Sequence, residues 1–475
     1  MALERSAIVT VASRDVIVIG GSLAGLFAAT AAASSGARTT IIERDVLPNE
    51  PSSRKGVPQD RQPHVLLHRG LLAAEELLPG LREDLIRHGA VRFDSGAMPW
   101  LGEYGWMPTW IPSFELVSST RPLLEHVVRE RVRQLPNVVI HEGMRASQLR
   151  RSGSRWEVGC EDATMSEADV VIDASGRSSR LPHWLSELGY PSSEPRTIDA
   201  HFGYACRVYR ANGVVPIDTG IMIFAVPETG VGALALPVED DRWLVVAAGY
   251  GDMRPSRDPA EFVPFLDGLR DPAIADLVRV LEPISDVVTY RQTGNRRHSY
   301  GEHRAWPDSL IVVGDAYCAF NPIYGQGITV AACQAVLLRD TLAKNKPLRS
   351  RRLQRRIAAV ADFPWSVATT EDIRRPSSTD ELTRSQQVIG RWTGELAKLA
   401  AHGERGAYRA FVGVYHLMAA PALLFHPALF LSAALTAIRG MAPAAPRPPI
   451  LDAFASQGAS TTASIADTEP PLPAS

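Results

Sequence analysis

The stretch Asp15-Val-Ile-Val-Ile-Gly-Gly-Ser-Leu-Ala-Gly25 decides the fold. Its first five residues are typical of a short buried strand. The next run, Leu23–Ser35, is small and apolar with helical character, and Gly36 suits a helix end. The β-branched run Arg38–Ile42 then predicts a second strand. A strand, a helix and a strand in this order form a βαβ unit, which implies a parallel sheet.

The turn between the first strand and the helix has the spacing of a dinucleotide-binding loop. It reads G-x-G-x-x-G with Ser22 at the middle glycine position. Gly20 suits a tight turn, Gly25 allows the helix to pack on the strand, and the helix N-terminus offers free N–H groups to phosphate. Glu43 follows the second strand, where a carboxylate that binds ribose is expected. The alternative is an ordinary glycine turn beside a surface glutamate.

Length and composition limit the function classes. A chain of 475 residues fits two or three domains, and a net charge of −2 gives no reason to expect nucleic acid as a partner. The four cysteines form no C-x-x-C pair, so neither a metal site nor a disulfide framework is expected. A reducing cytoplasm is the simplest location, and no signal peptide is expected ahead of the first strand.

Three later β-rich runs are predicted to join the parallel sheet: 137–140, 168–172 and 309–313. Two other segments are predicted to form a second, antiparallel domain inserted twice into the first. The predicted division is a nucleotide-binding domain (14–92, 116–195 and 296–345), a substrate-binding β domain (93–115 and 196–295), a helical region (346–441) and a tail (442–475). The tail is rich in Pro, Ala, Ser and Thr, which predicts disorder.

One segment raises the question of a membrane. Leu417–Ile438 is free of Asp, Glu, Lys and Arg for 22 residues, long enough to span a bilayer, but Pro421, His426 and Pro427 interrupt it. We therefore expect a buried pair of helices and no span. A monotopic membrane contact is the alternative.

Two further motifs follow predicted strands. They are Asp173-Ala-Ser-Gly-Arg177 and Gly314-Asp-Ala-Tyr-Cys-Ala-Phe-Asn-Pro-Ile-Tyr-Gly-Gln-Gly-Ile328. With the Gly20–Gly25 loop and Glu43-Arg44, they resemble the three marks of group A FAD-dependent monooxygenases, the p-hydroxybenzoate hydroxylase type, over roughly residues 14 to 345. Three segments look like the flavin epoxidases of polyether and polyketide biosynthesis: Arg54-Lys-Gly-Val-Pro-Gln59, Asn295-Arg-Arg297 with Tyr300, and Phe320-Asn-Pro-Ile-Tyr-Gly325.

The resemblance implies an α/β fold: a Rossmann-like, glutathione reductase-like FAD-binding domain with an inserted antiparallel sheet and a C-terminal helical region. The implied FAD-binding residues are Gly20, Gly21, Ser22, Leu23, Ala24, Gly25, Glu43, Arg44, Arg54, Lys55, Arg121, Asp173, Gly314, Asp315, Pro322, Gly325, Gln326, Gly327 and Ile328. Arg121 would lie by the phosphates, Asp315 would bind a ribityl hydroxyl, and Pro322–Ile328 would run under the isoalloxazine ring. Asp173 stands in Asp-Ala-Ser-Gly where the family has Asp-Gly, which leaves its part in nicotinamide contact open.

The same resemblance implies a reaction. NADPH or NADH would reduce FAD, oxygen would add to give a flavin C4a-hydroperoxide, and one oxygen atom would pass to a large apolar, polyketide- or terpenoid-like substrate. The cofactor carries this chemistry, so no catalytic side chain is predicted. The pocket candidates are His64, Gln59, Tyr324, Phe320, Trp106 and Phe224. The alternatives are a redox-neutral, FAD-holding cyclase of a polyene and, less favoured, a flavin halogenase. A monomer or homodimer is expected.

Overall fold

The computed structural model describes residues 14–454 apart from 192, 193, 214, 216 and 345. The strands in chain order are β1 (Asp15–Ile19), β2 (Arg38–Ile42), β3 (Val91–Asp94), β4 (Trp100–Gly102), β5 (Gly105–Trp106), β6 (Glu115–Ser118), β7 (Val138–His141), β8 (Ala146–Ser152), β9 (Arg155–Cys160), β10 (Met165–Ala168), β11 (Val170–Asp173), β12 (Arg196–Ile198), β13 (Phe202–Ala211), β14 (Ile221–Ile223), β15 (Val231–Val238), β16 (Arg242–Tyr250), β17 (Leu281–Pro283), β18 (Val288–Tyr290), β19 (Asn295–Arg297), β20 (Leu310–Val312) and β21 (Cys318–Ala319). The α-helices are α1 (Leu23–Ser34), α2 (His68–Leu77), α3 (Leu81–Arg87), α4 (Arg121–Arg133), α5 (Leu181–Glu187), α6 (Pro259–Asp267), α7 (Ala273–Arg279), α8 (Gly327–Leu342), α9 (Ser350–Val360), α10 (Asp362–Ile373), α11 (Arg384–Ala401), α12 (Arg405–Tyr415) and α13 (Pro427–Arg439).

A parallel sheet of five strands carries the N-terminal motif. Its order is β20-β11-β1-β2-β7, and every neighbouring pair is parallel. β1 lies at the centre because its last four residues are apolar on both faces and are buried. The expected α/β fold and the three later strands are therefore confirmed. Because parallel strands end at one edge of the sheet, the segments that follow β1, β2, β11 and β20 meet there.

The second sheet is mostly antiparallel. Its order is β17-β13-β16-β15-β14-β4-β5, with β18 also paired to β13. β4 and β5 come from the early aromatic segment, and β4 joins the others through Met222 opposite Trp100. Both inserted segments thus contribute to one sheet. We keep 93–115 and 196–295 as the proposed limits of a substrate-binding domain.

A small antiparallel sheet, β10-β9-β8, was not expected from the sequence. β8 is mostly half-buried or exposed, β9 is mostly buried, and Trp156 on β9 is completely buried. The segment is polar on average because its outer positions are polar. Its average composition therefore does not indicate that its apolar positions are buried.

The segment Leu417–Ile438 was expected to be a buried pair of helices, and this prediction is wrong. It forms a short 3-10 turn, Pro421–Phe425, and then α13, of which only Leu429 is buried. Leu431 and Ile438 are 61% and 81% exposed. Within the described residues, no helix combines the length and the apolar character needed to cross a membrane.

The prediction of disorder from residue 442 is wrong for residues 442–454. Ala445 forms a β-bridge with Trp106, Arg447 pairs with Asp271, and Leu451 and Phe454 are completely buried in the core of the antiparallel sheet. A few apolar residues suffice here because they fill a space in an existing core, whereas the segment as a whole has a disordered composition. Residues 455–475 and 1–13 lie outside the described residues.

Candidate active site

A cleft of about 380 Å³ opens at the carboxyl edge of the parallel sheet. It brings together segments that are up to about three hundred residues apart in the chain. The predicted residues that line it are Gly20, Ser22, Leu23, Ala24, Glu43, Arg44, Arg54, Lys55, Arg121, Gly314, Asp315, Pro322, Gly325, Gln326, Gly327 and Ile328. The structure therefore gathers all but three of the predicted cofactor residues in one place.

The loop after β1 requires its glycines. Gly20 has φ of +102°, and a Cβ on Gly25 would lie 1.8 Å from the Gly20 carbonyl oxygen, so α1 begins in direct contact with the turn. The Gly21 N–H donates to Glu43 Oε2 at 2.6 Å, and the second carboxylate oxygen accepts from the Asp45 N–H at 2.9 Å. Gly21 and Gly25 thus shape the loop without lining the cleft, and Glu43 lies beside it.

A buried charged network contacts this loop through Ser22. Glu125, on α4, accepts from Arg54 Nε at 2.7 Å and from Ser22 Oγ at 2.9 Å, and it is 3.2 Å from Arg121 Nη2. Burial favours the neutral acid, but the charges of the two arginines outweigh it and lower the pKa of Glu125. Glu125 was not among the residues predicted from the sequence. The signal was its position four residues after Arg121, on the same helix face.

Two cationic groups of this network have nitrogen atoms that are buried and have no hydrogen-bond partner within the described chain, namely Arg54 Nη2 and Arg121 Nε. Both side chains line the cleft close to the start of α1. A helix N-terminus and two arginines together form a site for a diphosphate.

The loop after β20 forms the opposite wall. Gly314 has φ of +59°, and a Cβ there would lie 2.7 Å from the Cβ of Ala24, so this loop touches the start of α1. Asp315 Oδ2 lies 3.7 Å from Arg177 Nε, and Arg177 donates to the carbonyls of Gly294 and Phe320. Arg177 lines the cleft and was not among the predicted residues.

The same loop ends in a helix start. Asn321 caps the 3-10 turn Pro322–Tyr324, Gly325 has φ of +64°, and α8 begins at Gly327. Gly327 and Ile328 line the cleft, so the first turn of α8 lies at its wall. A long helix that begins at a cleft stabilises negative charge there.

Several predicted residues lie elsewhere. Asp173 does not line the cleft: it is completely buried, it accepts from Ser175 and Ser179, and burial raises its pKa. It holds its own loop, which corrects the expectation that it contacts a cofactor. Tyr324 does not line the cleft either. Its hydroxyl forms a hydrogen bond on the other side of the loop, which the sequence could not show.

Of the other pocket candidates, His64, Gln59 and Phe320 line the cleft. Trp106 and Phe224 do not: Trp106 packs in the core of the antiparallel sheet, and Phe224 stacks on Trp100 at 5.4 Å. Trp106 is therefore a core residue, whereas Phe224 is half-buried and packs against the cluster that contains Trp100 and residues of α11 and α12.

His64 is a neutral group in the cleft wall. Burial and the charge of Arg121 lower the pKa of its imidazole to about 3. Nδ1 lies 2.8 Å from the Gln62 carbonyl, so Nδ1 carries the proton and donates, and Nε2 is the free acceptor.

A second, apolar cavity of about 30 Å³ adjoins the cleft, since Val65 lines both. Its walls come from the antiparallel sheet and from α12 and the residue that follows it. They include Trp100, Met222, Leu234, Leu236, Tyr415 and His416. Trp100 packs against Phe411 and Tyr415, and its Nε1 is buried without a hydrogen-bond partner in the described chain. The sequence did not indicate that α12 would reach this site.

Comparison with known proteins identifies the family. Residues 15–181 match the family model described as FAD dependent oxidoreductase. The chain is also 30% identical to Protein Rv3254 of Mycobacterium tuberculosis over 386 residues. This alignment covers 77% of this chain and 81% of that protein. The chain belongs to the FAD-dependent oxidoreductases.

This FAD-dependent oxidoreductase is also similar to a second curated protein, and it shares its fold with a solved structure. It is 25% identical over 414 residues to the 6-methylpretetramide 4-monooxygenase of Streptomyces rimosus, covering 82% of this chain and 87% of that one. It shares its fold with the Diels-Alderase PyrE3 of pyrroindomycin biosynthesis, at a TM-score of 0.56 and 17% identity over 85% of this chain and 80% of that chain. The expected resemblance to group A FAD-dependent monooxygenases is confirmed.

The cleft fits the FAD that this family binds. The unpartnered Arg54 and Arg121 nitrogens and the start of α1 suit its diphosphate, Glu43 lies where a ribose would be held, and the α8 start suits the flavin end. Within the described residues, no group of three or more His, Cys, Asp or Glu is placed to hold a metal ion.

Proposed function

We propose that the protein is an FAD-dependent monooxygenase that epoxidises or hydroxylates a large apolar substrate, polyketide- or terpenoid-like, in secondary metabolism. One observation carries the proposal: the cofactor cleft adjoins an enclosed apolar cavity, with Val65 in the wall of both. A flavin bound in the cleft would lie beside these apolar walls. The relationship to a named monooxygenase of similar length supports the same reaction class.

When bound, FAD supplies the redox chemistry: it takes electrons from NADPH or NADH and delivers one atom of O₂ to the substrate. The protein's part is to bind and orient. Arg54 and Arg121 hold the diphosphate, and the first turn of α8 stabilises the negative charge of the reduced flavin. The aromatic walls around Trp100 exclude water, which protects a reactive oxygen donor from hydrolysis.

The apolar cavity defines the proposed substrate class. Its walls are mainly aliphatic and aromatic, and the buried Nε1–H of Trp100, which has no hydrogen-bond partner in the described chain, is a donor that would orient a carbonyl or hydroxyl oxygen. Its volume of about 30 Å³ is close to that of one water molecule. A large substrate therefore requires that α12 or the side chains at the wall move outward.

Isotopically labelled O₂ tests the reaction class. The purified protein, with FAD and NADPH or NADH, is incubated with a panel of polyene and polycyclic polyketides, and products are examined by mass spectrometry. One labelled oxygen atom in the product, together with bleaching of the flavin by the nicotinamide without oxygen, supports a monooxygenase. A Gly25→Val variant serves as the flavin-free control, because its side chain would clash with the Gly20 carbonyl at the start of α1.

A redox-neutral cyclase is the second candidate, and the same experiment separates it. The fold shared with a Diels-Alderase permits this reaction without favouring it, since 17% identity reflects fold alone. A product of unchanged mass, formed without oxygen and without flavin bleaching, would refute the monooxygenase proposal. Incorporation of chloride or bromide would instead indicate a halogenase. We also propose a cytoplasmic location, in keeping with four unpaired cysteines, and a monomer or homodimer.

A further inference from the structure

A buried polar cluster lies behind the loop that follows β20, on the side away from the cleft. At its centre is Asp372, on α10 in the C-terminal helical region, which is completely buried. Its Oδ1 accepts from the Tyr324 hydroxyl at 2.7 Å, and its Oδ2 accepts from Asn295 Nδ2 at 2.7 Å. Asn321 Nδ2 lies 3.1 and 3.2 Å from the two carboxylate oxygens. One carboxylate thus receives three side-chain donors.

These contacts fix the loop at both ends. Asn321 and Tyr324 are the residues on either side of Pro322 and Ile323, and the Asn321 N–H also donates to Asn295 Oδ1 at 2.8 Å. The same Asn321 side chain caps the 3-10 turn by accepting from the Ile323 N–H. Pro322 and Gly325 are on the cleft side, so the backbone that lines the cleft is held by a carboxylate behind it.

We propose that Asp372 is a positioning residue for the cofactor: through Asn321, Asn295 and Tyr324 it holds the Asn321–Gly325 loop where FAD can pack against it. The inference rests on FAD binding in the cleft and goes beyond the reaction proposed above, because it assigns a part of the FAD site to the C-terminal helical region. Nothing in the motif at Gly314–Ile328 indicates this partner.

The ionised form is the one that fits. Two amide NH₂ groups and the Tyr324 hydroxyl face Asp372, and a carboxylate accepts from all three. A carboxyl O–H on Oδ2 would face only amide donors, and one on Oδ1 would require the Tyr324 hydroxyl to stop donating and accept instead. The other polar or charged groups that interact with it electrostatically are Arg375 on the same segment and the hydroxyls of Tyr204 and Tyr250 from the antiparallel sheet. Burial raises the pKa of Asp372 to about 6, and the hydrogen bonds and Arg375 oppose this effect. Asp372 therefore loses its charge in mildly acidic solution, at a pH well above that at which an aspartate is usually protonated.

The test uses the full chain and FAD itself. Asp372→Asn keeps the shape of the side chain but turns one acceptor into a donor facing Asn295 or Asn321. Glu371→Gln is the matched control, because Glu371 precedes Asp372 on α10 and forms ion pairs with Arg374 and Arg375. Among the described residues it makes no hydrogen bond to Asn295, Asn321 or Tyr324. Apoprotein is titrated with FAD, and flavin fluorescence, the visible absorption spectrum of bound flavin and the melting temperature are recorded across a pH range that brackets 6.

We expect FAD to bind the wild type at least about tenfold more weakly below pH 6 than above it, since hydrogen bonds to a charged group are lost. Asp372→Asn binds weakly at every pH, with no step near 6 and with a shifted flavin spectrum. Tyr324→Phe, which removes one donor and keeps the ring, weakens binding less, and its effect disappears in the Asp372→Asn background. The Glu371→Gln control retains the wild-type affinity and pH step.

Two outcomes overturn the inference. One is an Asp372→Asn protein with wild-type FAD affinity, spectrum and pH profile. The other is a variant whose only change is a lower melting temperature, which would mean that Asp372 supports the fold without positioning the loop. A wild-type chain that fails to bind FAD at all would instead refute the cofactor assignment, so the two failures are distinguishable.

Discussion

Replacement of Gly25 by alanine is expected to empty the cofactor cleft. The added Cβ would lie 1.8 Å from the Gly20 carbonyl oxygen, and ordinary contact begins at 3.4 Å, so the start of α1 and the turn must separate by 3.4 − 1.8 = 1.6 Å. α1 cannot shift freely, because ten of its twelve residues are buried. Overpacking of this kind typically costs about 1–3 kcal/mol, and a clash with backbone belongs at the upper end. A displacement of 1.6 Å also moves the helix N–H groups out of hydrogen-bond range of a diphosphate.

The assay is the flavin absorbance of purified protein relative to its total absorbance, with thermal unfolding in parallel. Gly390→Ala is the matched control, since Gly390 lies inside α11 with no atom within 4 Å of the added Cβ. That variant should bind flavin normally, and its free energy of unfolding should rise by roughly 0.5–1 kcal/mol, because alanine is a better helix former than glycine. A Gly25→Ala protein with full flavin and an unchanged melting temperature would refute the argument that this contact forms the site.

Three further outcomes are expected. Glu125→Gln removes the carboxylate that pairs with the buried Arg121 and one of the three that pair with the buried Arg54. It should lower the free energy of unfolding of the apoprotein by about 3–5 kcal/mol in chemical denaturation. Glu130→Gln, at a more exposed position on the same helix, should change it little, and equal effects would contradict the network. Phe454→Ala should lower the free energy of unfolding by about 3–5 kcal/mol, because the ring is completely buried. Ile450→Ala, at an exposed position, should leave it nearly unchanged. A Phe454→Ala protein of wild-type stability would show that the segment around residue 451 does not pack against the antiparallel sheet. Burial and a nearby arginine lower the pKa of His64 to about 3. The unfolded chain therefore binds a proton below pH 6.5 that the native state takes up only near pH 3, so the wild type should lose about 1.4 kcal/mol of stability relative to His64→Gln for each pH unit between these values and show no change above pH 6.5. A difference in the free energy of unfolding that does not vary with pH would place the imidazole in solvent.

The parts of the fold that local spacing controls were predictable. The Gly20–Gly25 loop, the strand after it and the position of Glu43 follow from a single βαβ unit, and the later strands are short apolar runs that end in polar turns. The antiparallel sheet was predictable for a similar reason, since β15 and β16 are nearly continuous apolar strands.

The features that were missed depend on contacts between distant segments. Glu125 and Asp372 look like ordinary helix-surface acids in sequence, and only the folded chain shows that each is buried against donors from two or more other elements. For Asp173 the prediction named a contact that the folded chain does not make. The motif assigns its carboxylate to a cofactor, but the hydroxyls of Ser175 and Ser179 already donate to that carboxylate. Trp106 and Phe224 could not be distinguished from pocket residues, since aromatic side chains fill cores and line pockets alike.

The packing of Leu451 and Phe454 against the antiparallel sheet has a consequence for synthesis of the protein. The core of that sheet draws on β4–β5, on β13–β18 and on residues near 451, so its parts are made at three separate times. Domains generally fold as units, N-terminal first, as the chain emerges from the ribosome. Here the strands of the parallel sheet are all present once β20 has emerged, whereas the antiparallel core is complete only after the residues near 451 have been made. Apolar surface beside Trp106 therefore stays uncovered throughout the synthesis of α9 to α13, and this is the interval in which the nascent protein depends most on protection from aggregation.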